Sequence, residues 1–202
     1  MSNYILSYTR LKNNCLWHNG TLIAQSESIG FANVLDVLYK SLNLSYPKFY
    51  KMDLLCKMGV LCTEPIMQDE NVREKFAKEK TAIVLSNKSS SLQTDLAYSK
   101  TRETFPSPAL FVYTLANIVT GEICIKHKIT GENAFFIEPS FNSELLQNYA
   151  EILLKENDAV LCGWLDENDC FLYFVAKEAS VPEKKPTFIE HSINNLNKLY
   201  TQ

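Results

Sequence analysis

Hydrophobic and polar positions follow two different periods along this chain of 202 residues. The segments 4–11 and 15–24 are rich in β-branched and aromatic residues, which is typical of strands, and Asn19-Gly20 predicts a tight hairpin turn. The run 81–85 (TAIVL) is short and apolar throughout, which predicts a strand buried on both faces of a parallel sheet. The apolar segments 158–165 and 170–176, separated by an acidic turn, predict an antiparallel hairpin.

Other stretches have the 3.6-residue period of helices. Residues 31–38 predict a short helix, and residues 50–67 predict a helix that is apolar on more than one face and packed inside the protein. Residues 109–127 are apolar around most of a helical circumference, so we predict one long buried helix that runs through the centre of the domain. Asn117 is its polar exception, and we expect a hydrogen-bonded structural clamp there because buried amides need partners.

The segment after this helix carries the most suggestive chemistry. Gly131 ends the helical pattern, residues 134–137 predict a strand, and Pro139-Ser140 leads into a helix over residues 145–153. This order places Ser140 at the mouth of a new helix, where an α/β enzyme usually keeps its nucleophile. The serine-rich loop 86–91 follows a predicted parallel strand at the edge where α/β sheets bind ligands, but it has no glycine to wrap a phosphate.

Together these elements predict the α/β class. We expect one domain over residues 1–202, with a layered and mostly parallel central sheet that carries an antiparallel edge strand, a buried central helix and an N-terminal hairpin. Residues 181–202 form a tail with an amphipathic helix that docks on this domain or on a partner.

The composition of the chain argues against nucleic-acid binding and against a membrane-spanning protein. The net charge of −3 with interspersed signs provides no field for nucleic acid, and the small basic groups Lys184-Lys185 and 126–128 do not change this. No apolar run is long enough to span a bilayer, and the start lacks the pattern of a secretory signal, so we expect a cytoplasmic location. The six cysteines are dispersed, which predicts buried reduced thiols, and we expect no metal and no cofactor.

The central stretch 107–140 resembles a known family without a gap. It is similar to the N-terminal half of the β-ketoacyl synthases, which have the thiolase-like fold, and the resemblance rests on Ser107-Pro108, Asn117, Gly121, Ile125 and Gly131. Weaker similarity extends to the segment 50–53 (YKMD) and to 159–166 (AVLCGWLD). The resemblance implies a thiolase-like half. Because thiolase-like molecules contain two such halves, a lone half implies an uncovered face and therefore self-association or a partner.

The departures from the family are at its reactive positions. Ser140 stands where the family has its nucleophilic cysteine, Glu138-Pro139 replaces small residues before it, and residues 141–143 (FNS) replace small residues after it. The two catalytic histidines of the family lie in its C-terminal half, and none of His18, His127 and His191 matches them. A serine hydroxyl is a poor nucleophile until a base takes its proton, so the changes remove the family's chemistry.

Our leading hypothesis is a non-condensing, ketosynthase-like pseudoenzyme that acts as an accessory subunit in fatty-acid, polyketide or aryl-polyene-type biosynthesis. By resemblance, Phe111, Tyr113, Leu115 and Asn117 are its candidate pocket or interface residues. Its expected partners are a second copy or a full-length ketosynthase, with an acyl carrier protein as a further candidate. The alternatives are an acyltransferase or hydrolase that uses Ser140, and a module that binds an acyl chain or an acyl carrier protein.

Overall fold

The computed structural model describes residues 2–181, 185 and 187–202. These residues form one sheet flanked by α-helices. The strands are β1 (Asn3–Lys12), β2 (Cys15–His18), β3 (Thr21–Gln25), β4 (Thr81–Asn87), β5 (Asn133–Ile137), β6 (Ala159–Asp166), β7 (Asp169–Lys177) and β8 (Ile189–Glu190). The helices are α1 (Phe31–Ser41), α2 (Leu54–Gln68), α3 (Leu92–Thr101), α4 (Pro108–Val112), α5 (Ile118–His127), α6 (Ser143–Leu153) and α7 (Ile193–Thr201).

The sheet is mixed, with the strand order β3-β2-β1-β7-β6-β4-β5 and with β8 beside β1. Parallel pairing is limited to β4 with its neighbours β5 and β6. The other pairs are antiparallel, including the predicted β6–β7 hairpin and the N-terminal hairpin. The sheet thus contains fewer parallel strands than predicted. Short turns connect β1 to β2, β2 to β3 and β6 to β7, and such turns can join only antiparallel strands. The parallel pair β4 and β5 is instead connected by a crossover that contains three helices.

Helices cover both faces of the sheet. In β4 every residue is buried, and Ile83 and Leu85 face one core while Ala82 and Val84 face the other. The first core lies under α1, α2 and α5, and the second lies under α6 and α7. The predicted uncovered face is therefore not a face of the sheet, because the chain itself supplies α6 and α7 there.

The buried central helix of the fold is α2. Eleven of its fifteen residues are buried, and the Asp53 side chain caps its N-terminus by accepting a hydrogen bond from the Cys56 N–H at 2.8 Å. Gly59 lets α2 approach α5 closely, because a Cβ at this position would lie 2.4 Å from Cγ2 of Val119. The sequence pattern over residues 50–67 therefore predicted the core helix correctly, with the helix beginning at Leu54.

The long buried helix expected over residues 109–127 is wrong. The chain forms the short helix α4, a tight turn and then α5, and the Thr114 hydroxyl donates to the Phe111 carbonyl at 2.7 Å. That hydroxyl takes an acceptor that a continuous helix would offer to a backbone N–H. Asn117 is exposed and precedes α5, with no side-chain capping bond, so it is not a buried clamp. Several apolar residues that suggested a core position are at the surface instead.

The tail helix docks on the sheet, as one of the two predicted possibilities. Leu196 and Leu199 are buried in the core under α6 and α7. The Arg10 guanidinium donates to the Tyr200 carbonyl at 3.0 Å and lies over the Tyr200 ring, 4.6 Å from its centroid. Lys184 of the basic pair lies outside the described residues, and Lys185 forms an ion pair with Glu70 at 2.5 Å.

The six cysteines are free thiols, and four of them are buried. Burial raises the pKa of Cys56 and Cys162 above the ordinary range, so these thiols stay protonated and behave as small apolar groups. Across the described residues, every helix is too short or too polar to cross a membrane.

Candidate functional site

The carboxyl ends of the parallel strands β4, β5 and β6 meet at one edge of the sheet. The loops that follow them carry residues 88–91, 138–142 and 167–168. This edge is where open α/β sheets usually bind ligands. Two features lie there: a cavity beside the serine-rich loop, and the segment that bears Ser140.

The cavity has a volume of about 260 Å³. One wall is apolar and the rim is rich in hydroxyl, amide and carboxylate groups. Its lining residues are Asp53, Leu54, Leu55, Asn87, Ser89, Ser90, Ser91, Gln93, Thr94, Ala97, Leu110, Asp166 and Glu167. The volume is slightly below the range of drug-sized ligand pockets, so the cavity suits a small molecule or the end of a chain.

Hydrogen bonds within the lining hold the serine-rich loop in place. The Asp166 carboxylate accepts from the Ser89 N–H at 3.1 Å and from its hydroxyl at 3.3 Å. Asn87 and Ser90 exchange two bonds of 2.9 Å, one through each end of the Asn87 amide. Ser90 has a φ of 52°, a conformation that usually favours glycine. The loop is thus a fixed wall of the cavity without the glycines of a phosphate cradle.

The charge of the lining restricts the ligands that fit. Asp53 accepts from the Thr94 hydroxyl at 2.9 Å, which joins the start of α2 to α3. Together with Asp166 and Glu167 it gives the lining three acidic side chains, whereas among the described residues no lysine, arginine or histidine lines the cavity. A phosphate or carboxylate would be repelled there. An uncharged aliphatic group would pack well against Leu54 and Leu110.

Ser140 lies at the same edge but outside this cavity. The Glu138 N–H donates to the Asn87 carbonyl at 2.8 Å, which fixes the Ser140 segment next to β4. The helix cap is Asn142, whose side chain accepts from the Leu145 N–H at 3.0 Å and donates to Glu138 at 2.8 Å. Ser140 is exposed, two residues before the cap, and it does not line the cavity.

None of the three histidines contacts Ser140. His18 Nε2 lies 2.8 Å from Ser7 Oγ and 3.2 Å from Asp69, His127 pairs with Glu64 at 3.1 Å, and His191 lies 3.4 Å from the Tyr173 hydroxyl. The Ser140 hydroxyl has no hydrogen-bond partner among the described residues. Ser7, His18 and Asp69 are not a catalytic triad either, since both partners share one ring nitrogen.

The four candidate pocket or interface residues differ in their exposure. Tyr113 is buried, and its hydroxyl donates to Glu122 at 3.2 Å, a carboxylate that also pairs with Lys48 at 2.6 Å. Burial, and then the Glu122 charge, raise the pKa of Tyr113. Phe111 is 57% exposed and Leu115 56% exposed, and Asn117 is exposed as well. Of this segment only Leu110 reaches the cavity.

The same segment contributes to an exposed apolar surface. We call it the α3–α4 surface, and its large exposed side chains are Leu92, Leu96, Phe105, Phe111, Val112 and Leu115. The rings of Tyr98 and Phe111, 5.5 Å apart, join α3 to α4 at this surface, and exposed apolar side chains on neighbouring elements often mark a binding site. Sequence reasoning assigned residues 109–115 to the core, because an apolar residue gives the same signal whether a core or a partner covers it.

Strand β5 is at the end of the sheet, and its outer edge pairs with no described strand. The Glu132 carbonyl and the Glu138 N–H bond inward to β4. Because backbone groups alternate along a strand, those of Asn133, Phe135 and Ile137 point outward. An uncovered edge of this kind is a template for pairing with another strand.

No protein-family model matches this sequence, and no curated protein matches it either. Solved structures do match. A chain from a ketosynthase in complex with its chain length factor, from Xenorhabdus doucetiae, is 10% identical with a TM-score of 0.58, and the alignment covers 88% of this chain and 79% of that one. A chain from a type II PKS acyl-carrier protein in complex with its ketosynthase bound to the hexaketide is 8% identical with a TM-score of 0.60, covering 89% and 64%.

The second comparison therefore spans less than two thirds of the length of the matched chain. At these identities the comparisons show the fold and not the activity. The predicted α/β class and its thiolase-like arrangement are confirmed. The chain shares the fold of these matched chains, and Ser140 lies outside the cavity.

Proposed function

We propose that this protein is a ketosynthase-like, non-condensing subunit that assists a ketosynthase in polyketide or fatty-acid-type biosynthesis. The observation that carries the proposal is the combination of a ketosynthase-like fold with an exposed Ser140 that no histidine contacts. In a solved neighbour a ketosynthase is in complex with its chain length factor, and we assign a comparable partner role to this chain.

Two surfaces support a partner role. The outer edge of β5 offers unpaired backbone groups, and the α3–α4 surface offers apolar side chains on the crossover that connects β4 to β5. Backbone hydrogen bonds along an edge strand align a partner strand in a defined register. Apolar side chains that become buried on binding contribute to the affinity between the two proteins. Both features support the proposal that this protein binds a partner.

A reconstituted pathway tests the proposed role. Co-expression with a ketosynthase from the same source should change product yield or chain length, and Ser140→Ala should be as effective as the wild type. The matched control is Ser143→Ala, three residues further along and buried at the start of α6. A product that is unaffected by the chain would contradict the role of an accessory subunit. Loss of the effect in Ser140→Ala alone would instead support a nucleophilic serine.

The acyltransferase or hydrolase alternative needs a base for Ser140, and the described residues bring none to it. A partner would have to provide that base. The geometry therefore favours the non-condensing role.

The binding-module alternative has one observation in its favour, which is the cavity beside the serine-rich loop. Its apolar wall suits the end of an acyl chain, while its three acidic side chains disfavour the phosphate of a carrier-protein arm. An acyl carrier protein would then meet this chain at the surface, with only an uncharged acyl end inside. Such binding is compatible with the subunit role.

A further inference from the structure

Two acidic residues flank the open edge strand β5. Glu132 directly precedes the strand and is exposed, and Glu138 directly follows it and is partly exposed. Side chains alternate between the two faces of a strand, so both glutamates lie on the same face as Ala134 and Phe136. That face packs against the core under α6 and α7.

The outward backbone groups define how a second strand would pair. A symmetric pair of two copies joins the same edges, which makes the two β5 strands antiparallel. Only outward-facing residues exchange hydrogen bonds, so Phe135 opposes Phe135 and Asn133 opposes Ile137. A shift by two residues in one direction places Pro139, which has no N–H, opposite Asn133, and a shift in the other direction pairs Ile137 with Gly131, outside the strand. Only the centred register pairs all three outward residues of β5 with one another. The centred register is therefore the favoured one.

In the centred register, Glu132 of one copy lies directly opposite Glu138 of the other. Two-fold symmetry repeats this contact at the other end of the paired strands. Like charges directly opposite each other on a sheet are destabilising. Two such contacts weaken self-pairing by roughly two- to thirtyfold. No lysine or arginine side chain forms an ion pair with either glutamate among the described residues.

We infer that Glu132 and Glu138 select the partner of this edge: they disfavour a second copy and favour a different protein whose edge strand is flanked by basic residues. The inference rests on the proposed partner role and adds the charge rule that chooses between self-association and a heterologous complex. Specificity of this kind often comes from a repulsive element against the wrong partner.

Charge reversal tests the rule with the purified full chain. Glu132→Lys places a lysine opposite Glu138 at both ends and should increase self-association roughly tenfold or more over the wild type in sedimentation velocity. The double variant Glu132→Lys/Glu138→Lys restores like charges and should self-associate no more than the wild type, but a mixture with the wild type should form a heterodimer. Added salt should weaken both complementary pairs.

The control Glu27→Gln/Glu190→Gln lowers the acidic charge on the far side of the sheet, beyond β3 and in β8, and should behave as the wild type. Equal self-association of the wild type and Glu132→Lys would overturn the inference, as would a double variant that self-associates as strongly as Glu132→Lys. Circular dichroism confirms that each variant is folded. The result is independent of any ketosynthase, so a failed co-expression would count against the proposed function and leave the charge rule standing.

Discussion

At the scale of single residues, His191 has the most directly measurable effect on stability. Its side chain is buried, its Nδ1 has no hydrogen-bond partner, and burial lowers its pKa from 6.5 to about 4, partly opposed by Glu151. Below pH 6.5 the unfolded chain binds a proton at this residue whereas the folded chain does not. The free energy of unfolding is therefore not reduced by His191 above pH 6.5. It falls by up to about 3 kcal/mol as the pH decreases toward 4, because only the unfolded chain binds the proton there.

The variant His191→Gln removes this titration while keeping a polar side chain. Urea unfolding at pH 7, 6 and 5 should show that the free energy of unfolding of the wild type falls relative to that of the variant. A constant difference between the two proteins across this range would show that His191 titrates normally in the folded state.

At the scale of elements, the contact between α2 and α5 depends on one glycine. A Cβ at Gly59 would lie 2.4 Å from Val119 and 3.2 Å from Leu165, whereas a Cβ at Gly121 in α5 would meet nothing within 4 Å. We expect Gly59→Ala to destabilise the protein by about 1–3 kcal/mol through overpacking. The matched variant Gly121→Ala should stabilise it by about 1 kcal/mol through helix propensity. Thermal unfolding compares the stability of the two variants. Equal changes in melting temperature would show that α2 and α5 can move apart without loss of stability.

The elements also show how far sequence patterns can predict this fold. The strands and α2 were predictable, because the period of their buried positions is set by their own geometry. The break between α4 and α5 was not, since the backbone bonds of this turn span three residues instead of four and its apolar side chains are covered by no core. The cavity was only partly predictable: loop 86–91 pointed to the correct edge, but Asp53 and Leu110 reach it from distant parts of the chain.

At the scale of the whole molecule, the faces of the sheet are covered, whereas one sheet edge and one helical surface are exposed. Helices of this chain cover both faces of the sheet: α1, α2 and α5 on one face, and α6 and α7 on the other. The open features are the β5 edge and the α3–α4 surface. Sequence resemblance predicted the fold, whereas the exposure of Ser140 depends on tertiary packing that a linear pattern does not contain.

The measurement that tests the partner role most directly is the mass of the complex formed on co-expression with a ketosynthase from the same source. We predict a one-to-one heterodimer by native mass spectrometry. Phe111→Asp on the α3–α4 surface should weaken it by roughly tenfold or more, while Ile29→Asp, which is 91% exposed elsewhere, should leave it unchanged. Recovery of the two proteins only as separate species, or equal losses in both variants, would contradict the account.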